Sequence, residues 1–176
     1  VYNDLDLFNM GIVYFATMRG IPQFFYGTEI LMNSNKSPGN HGLIRSNFPG
    51  GFSGDKINAF TRIGLNLDQI KTLDFFKKIL NWRKTNEVIH HGKLIQFAPM
   101  NGGWGEVYSY FRIYNQKKVW VLFNRGNHTI EIDMERYSEL IKDYTLGYEI
   151  LSNRTIELKK GILMEGKSSM IIELNH

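Results

Sequence analysis

There is no cysteine among the 176 residues. That excludes disulfides, thiolate metal ligands and a cysteine nucleophile in one step. It leaves the compartment open, since periplasmic and cytoplasmic proteins alike can lack cysteine. No apolar run approaches the ~20 residues that a membrane-spanning helix needs, so no membrane partner is expected. The chain also lacks a concentrated patch of one charge. Its net charge of +4 is spread in ones and twos, as at Lys77-Lys78, Lys117-Lys118 and Lys159-Lys160. A nucleic-acid binder gathers its charge into a patch or stripe, so no nucleic-acid partner is expected. The opening Val1-Tyr2-Asn3-Asp4 is neither an initiator methionine nor a secretion signal. The chain is therefore expected to begin inside a longer protein.

What is present describes a folded protein. Hydrophobic residues make up 43% and charged residues 22%, which is the balance of a globular chain. The length allows one or two small domains. Aromatic residues reach 14%, and because such rings both fill cores and stack on sugars, their number alone does not choose a function.

Asn3 or Asp4 can cap a helix running to about Met18. Leu5, Phe8, Ile12, Phe15 and Ala16 fall on its three-and-four spacing, Val13 and Tyr14 widen that stripe, and Gly20 suits a left-handed end. The apolar run 21–26 then reads as a buried parallel strand, with Pro22 tolerated only near its start. Residues 33–66 are rich in Gly, Asn, Ser and Pro, with turn signals at Pro38-Gly39, Asn40-His41-Gly42 and Pro49-Gly50-Gly51. A loop of that length is commonly functional, and here it follows the end of the strand where α/β barrels carry their sites. A second helix is expected over 67–86, with Ile70, Leu73, Phe76, Ile79, Leu80 and Arg83 inward and Asp68 near its start.

Beyond about residue 90 the period changes to two. Residues 94–97, 107–114, 118–124, 129–133, 148–151, 155–158, 161–164 and 170–174 read as short strands. Asn115-Gln116 is expected to turn a hairpin, and 134–142 to form a short helix or irregular excursion. Many short strands argue for an antiparallel sandwich. Tyr108, Tyr110, Tyr114 and Trp120 are expected to share one packed face.

Gly20-Ile21-Pro22-Gln23-Phe24-Phe25-Tyr26-Gly27-Thr28-Glu29-Ile30 resembles the eighth-strand motif of glycoside hydrolase family 13, the α-amylase family, written G-x-P-x-x-Y-Y-G-x-E. Gly20, Pro22, Tyr26, Gly27 and Glu29 match, and Phe25 replaces the first tyrosine. Ile44-Arg45-Ser46-Asn47-Phe48-Pro49-Gly50-Gly51-Phe52 is similar to the family's arginine-containing loop, in wording most like the neopullulanase and cyclomaltodextrinase branch. The resemblance implies an α+β fragment. Residues 1–90 would be the C-terminal portion of the catalytic TIM barrel (helix, strand eight, long loop, helix). Residues 91–176 would be an antiparallel β-sandwich, called domain C.

It implies a parent that is a retaining glycosidase of starch-derived α-glucans, a hydrolase of carbohydrate metabolism. Two carboxyl groups about 5–5.5 Å apart would flank its scissile bond. The family's nucleophile, acid and stabilising aspartate follow strands four, five and seven. None of those segments is in this chain, so no catalytic residue is assigned here and the isolated chain is expected to be inactive. No cofactor is implied, and calcium is left open for the parent. Partners would be α-glucan oligosaccharides through the parent, with the missing barrel or a second copy covering the exposed barrel segment. The cleft-lining candidates are Tyr26, Glu29, His41, Arg45 and Phe48. Glu29 and Arg45 can form a charge-assisted pair on the cleft floor or remain solvated loop charges. His41 can touch a sugar hydroxyl or simply be exposed, and Phe48 and Phe52 can line the cleft or anchor the loop. Adjacent His90-His91 is read as solvated, and Trp104 as packed on the sandwich or stacking on glucan. A non-catalytic carbohydrate-binding or structural domain is the other reading of the whole.

Overall fold

The computed structural model describes residues 4–33, 39–42, 45–100 and 105–174. The chain divides into two compact units, one of residues 1–21 with 79–176 and one of residues 22–78.

In the first unit, α1 (Leu5–Thr17) starts where the sequence provides a cap. Asp4 is extended, and its Oδ1 accepts from the Leu7 N–H at 3.1 Å. The helix buries Met10, Ile12, Val13, Ala16 and Thr17. Tyr14 and Phe15, placed in its buried stripe by the sequence pattern, are instead exposed, Phe15 by 60%. The stripe centres on Val13, so Phe15, two positions further round the helix, turns away from the sheet, while Tyr14 stays at its edge against Phe123. The last turns of α2 (Leu67–Thr85) also belong here, followed by α3 (Glu87–His91), capped by Asn86 Oδ1 accepting from Ile89 N–H at 3.0 Å.

The strands are β1 (Lys93–Met100), β2 (Val107–Tyr114), β3 (Lys117–Asn124), β4 (Ile130–Glu131), β5 (Leu146–Glu149), β6 (Arg154–Glu157), β7 (Leu163–Met164) and β8 (Ser168–Leu174). Six form one antiparallel sheet in the order β1-β2-β3-β8-β5-β6, and β4 pairs with β7 in a second, small sheet. A short helix, α4 (Ser138–Ile141), lies in the excursion between β4 and β5. Asn115 and Gln116 both have positive φ, 46° and 68°, as a two-residue type I′ hairpin requires.

That hairpin sets the register. Phe111 opposes Trp120, and the two rings stack at 5.2 Å and 10°. Trp120 thus faces away from Tyr108 and Tyr110, not alongside them as the alternation suggested, because directly opposed residues share a face. One face of the sheet, with Val107, Phe111, Trp120, Leu122, Ile172 and Leu174, forms a core with Ile132, Tyr137, Ile141, Ile162 and Met164. On the other, Tyr110 bonds Thr17 of α1 at 2.5 Å between hydroxyls, and Tyr14 meets Phe123 at 6.3 Å. Burial pushes the Tyr110 phenol well above its ordinary value, although the Thr17 hydroxyl works the other way.

Arg112 joins these elements. It is 2% exposed, and its Nη1 donates to Thr17 O at 2.8 Å and its Nη2 to Ile89 O at 2.8 Å and Gly92 O at 3.0 Å. One planar fork thereby satisfies carbonyls at the ends of α1 and α3, where helices leave acceptors unpaired. Arg83 does similar work, donating to Ala16 O at 2.5 Å and Gly20 O at 2.9 Å.

In the second unit, α2 begins with a reciprocal cap. Asn66 Oδ1 accepts from Gln69 N–H at 2.9 Å, and Gln69 Oε1 from Asn66 N–H at 3.0 Å. The cap is Asn66, one residue before the helix, and Asp68 sits inside the first turn. Residues 21–25 form no strand. A strand exists only through a ladder to a neighbour, and among the described residues of this unit there is no other strand for it to pair with. The segment instead packs on α2, with Phe24 edge-on to buried Phe76 at 5.2 Å and Gln69 Nε2 donating to Ile30 O at 3.0 Å. The result keeps the order helix, apolar segment, loop, helix without a barrel strand.

Candidate functional site

The candidate residues all lie in the unit of residues 22–78 and follow the apolar segment. Gly27 turns the chain, with φ 82° and ψ −8°, the third-position dihedrals of a type II turn. Thr28 N–H closes the turn onto Phe25 O at 3.1 Å, and the Thr28 hydroxyl donates to the same carbonyl at 2.5 Å. A side chain on Gly27 would meet the side chain of Met32, whose N–H donates to Gly27 O at 2.9 Å. The motif's glycine is therefore required both by backbone angle and by close approach.

This turn presents Tyr26 to the arginine-containing loop. The Tyr26 hydroxyl donates to Ser46 O at 2.8 Å, and its ring lies 4.6 Å from that of Phe25. Two residues named from the sequence, Tyr26 and the neighbour of Arg45, are thus brought together through a hydroxyl–carbonyl bond. Glu29 and Arg45 are not. No ion pair joins them. Glu29 is half-buried in the 3-10 turn 28–30, whereas Arg45 is exposed, and an exposed arginine gains little by giving up hydration for one such pair. His41 is exposed beside a local turn in which Gly42 N–H donates to Asn40 Oδ1 at 3.1 Å. Phe48 is half-buried with its ring 5.6 Å from Phe60, which fits an anchor for the loop.

Two side chains that the sequence pattern did not single out build the rest of the loop. Asp55 Oδ2 accepts from Gly50 N–H at 2.8 Å and Phe52 N–H at 3.1 Å, folding the Pro49-Gly50-Gly51 corner. Asn58 Oδ1 accepts from Phe60 N–H and Thr61 N–H, each at 3.0 Å, and sits so close to Gly50, at φ 97°, that a side chain there would collide. The available signal was their type: Asp and Asn in a loop fold it through their own side chains. Asp74 is held by a two-point pair with Arg62. Of the unit's four carboxylates, Asp55 and Asp74 are thus engaged in holding backbone and helix. Phe25, Phe52, Phe60, Ile63 and Leu67 leave more than 60% of their surface exposed around this loop.

Elsewhere, His90 and His91 occupy the last turn of α3 with ring centroids 6.0 Å apart. Among the described residues no group of three or more His, Cys, Asp or Glu gathers to hold a metal. Trp104 lies outside the described residues.

Residues 94–173 match the family described as the Cyclo-malto-dextrinase C-terminal domain. Solved structures agree with the fold. A maltogenic amylase from S. marinus superposes with a TM-score of 0.60 at 18% identity, covering 98% of this chain and 20% of its own. An α-amylase from Geobacillus thermoleovorans, solved with acarbose, gives 0.68 at 15%, covering 99% and 34%. A maltogenic α-amylase from Thermotoga neapolitana gives 0.65 at 14%, covering 97% and 37%. The chain therefore spans between a fifth and two fifths of the length of these structures.

Proposed function

We propose that this chain is the C-terminal portion of a retaining α-glucan hydrolase of the amylase type, because its residues 94–173 match the family described as the Cyclo-malto-dextrinase C-terminal domain. In this reading residues 1–90 complete a catalytic barrel and residues 91–176 are its domain C. The family match over residues 94–173 carries the proposal. It is supported by the turn at Tyr26-Gly27 and by the Tyr26–Ser46 bond, which ties the motif to the arginine-containing loop. The exposed rings around that loop suit a segment that lies against further polypeptide or sugar. The substrate would be a starch-derived oligosaccharide, and Tyr26, Glu29, His41, Arg45 and Phe48 would shape the cleft around it without entering the chemistry.

Both carboxyl groups of the retaining mechanism would be supplied from outside this chain. Assayed alone on soluble starch and cyclomaltodextrins, the chain should release no more reducing sugar than a protein-free control. The longer protein that carries it should hydrolyse them, and NMR of the first-formed product should show the anomeric configuration kept. Turnover by the chain alone, or an inverted product from the longer protein, refutes the proposal.

A further inference from the structure

In the first unit, a cleft of about 590 Å³ opens where the end of α1 meets α3 and the start of β1. Arg19, His90, His91, Lys93 and Arg112 line it, and among the described residues no carboxylate does. Its floor is unusual. Arg112 is 2% exposed, every partner it has is a neutral carbonyl, and its Nε–H is buried without an acceptor. A buried cation is costly unless a negative group answers it. The helix ends at Thr17 and Gly92 supply part of that answer through their carbonyl dipoles, but α3 has only five residues. Burial depresses the Arg112 pKa first, and the like charges of Arg83 and Arg19 press the same way, partly opposed by Tyr110. The region thus carries more positive charge than its own residues neutralise.

We propose that this cleft is an oxyanion site for a phosphate dianion, free or as the phosphoryl group of a sugar phosphate. Arg19 and Lys93 contribute mobile cations at the rim, His90 and His91 further donors, and Arg112 a fixed positive floor. The chemistry favours phosphate over a carboxylate. The buried floor cannot grip a carboxylate at two points, because both Nη atoms of Arg112 are already committed to carbonyls. Point charges arranged around a concavity suit a tetrahedral dianion with oxygens on every side. The cleft also exceeds what a bare phosphate fills, leaving room for an attached sugar. This site does not depend on the glycosidase reading, because its test involves no turnover.

The test is calorimetric titration of the full chain with orthophosphate and with glucose 6-phosphate, against glucose and against sodium chloride of matched ionic strength. Saturable binding of one or both phosphates is expected, and none of glucose or chloride. Tighter binding of glucose 6-phosphate identifies the sugar-linked phosphoryl group, and equal binding identifies free phosphate. The Arg19→Ala/Lys93→Ala double variant, changed only at exposed positions, should bind at least about tenfold more weakly with an unaltered circular dichroism spectrum. No saturable phosphate heat, or a double variant that binds as the parent does, overturns the proposal.

Discussion

Replacing Arg112 by Met removes the fork that closes two helix ends while keeping an unbranched side chain of similar length in the sheet. Three donors are lost, those to Thr17 O, Ile89 O and Gly92 O at 2.8, 2.8 and 3.0 Å. Each is charge-assisted and would be worth about 1.5–3 kcal/mol taken singly. The cation's own desolvation, several kcal/mol, disappears with it and offsets much of that sum. What remains is three buried carbonyls without their partner, at about 1 kcal/mol each net. The expected loss is therefore about 3 kcal/mol, a large share of the stability of a typical domain. Urea unfolding followed by tryptophan fluorescence measures it, since Trp82 and Trp120 both lie in the unit that holds Arg112. With a slope of about 2 kcal/mol/M, the midpoint should fall by about 1.5 M. Arg112→Lys keeps the charge but places it at one point that cannot span three carbonyls, so roughly half the loss should remain. A Met variant within about 0.5 kcal/mol of the parent refutes the helix-end role. So does a Lys variant less stable than the Met variant, which would show that the buried charge itself dominates.

Gly27→Ala should strain the turn that carries the sequence motif, because φ is 82° and the new methyl meets Met32. At about 1–2 kcal/mol for a left-handed residue, the Thr28 and Met32 amides should exchange hydrogen about tenfold faster, and unchanged exchange would refute this. Asp4 is held below its ordinary carboxyl value of 3.8 by the Lys167 hydrogen bond first and the Leu7 N–H next, and Lys167 is raised by the same partner. A depressed acid stabilises fully above its unfolded value and loses that contribution as pH falls through the folded one. Asp4→Asn keeps a helix cap and removes the charge. The melting-temperature gap between parent and variant should therefore be constant near neutrality and close below about pH 4, and a gap that persists in acid refutes the linkage.

Local signals were legible wherever one residue type answers a local need. Asp4 before an apolar stripe and Asn115-Gln116 between two alternating runs each ended up in the expected place. Trp120 was misplaced for want of one step, since counting outward from the hairpin turn puts it opposite Phe111. Residues 21–26 are different in kind. Their composition favours a buried strand, but strand formation is a property of the neighbours, and no neighbouring strand lies among the described residues of this unit. Arg112 was illegible for a related reason. It occupies the same face as Tyr108 and Tyr110 by alternation, and only the approach of two helix ends to that face turns an ordinary polar position into a buried anchor. Glu29 and Arg45 show the limit of charge complementarity, since opposite signs near one another in sequence do not outweigh the hydration of an exposed guanidinium.

The sheet draws β8 into its middle, between β3 and β5, and α1, from the other end of this sequence, packs against it. Asp4 and Lys167, which clasp the two, are 163 positions apart. The side of α1 that meets this sheet therefore has to wait for residues 168–174 before its partner strand exists. Joining the two is a closing event rather than a progressive one, slow by the measure of sequence separation.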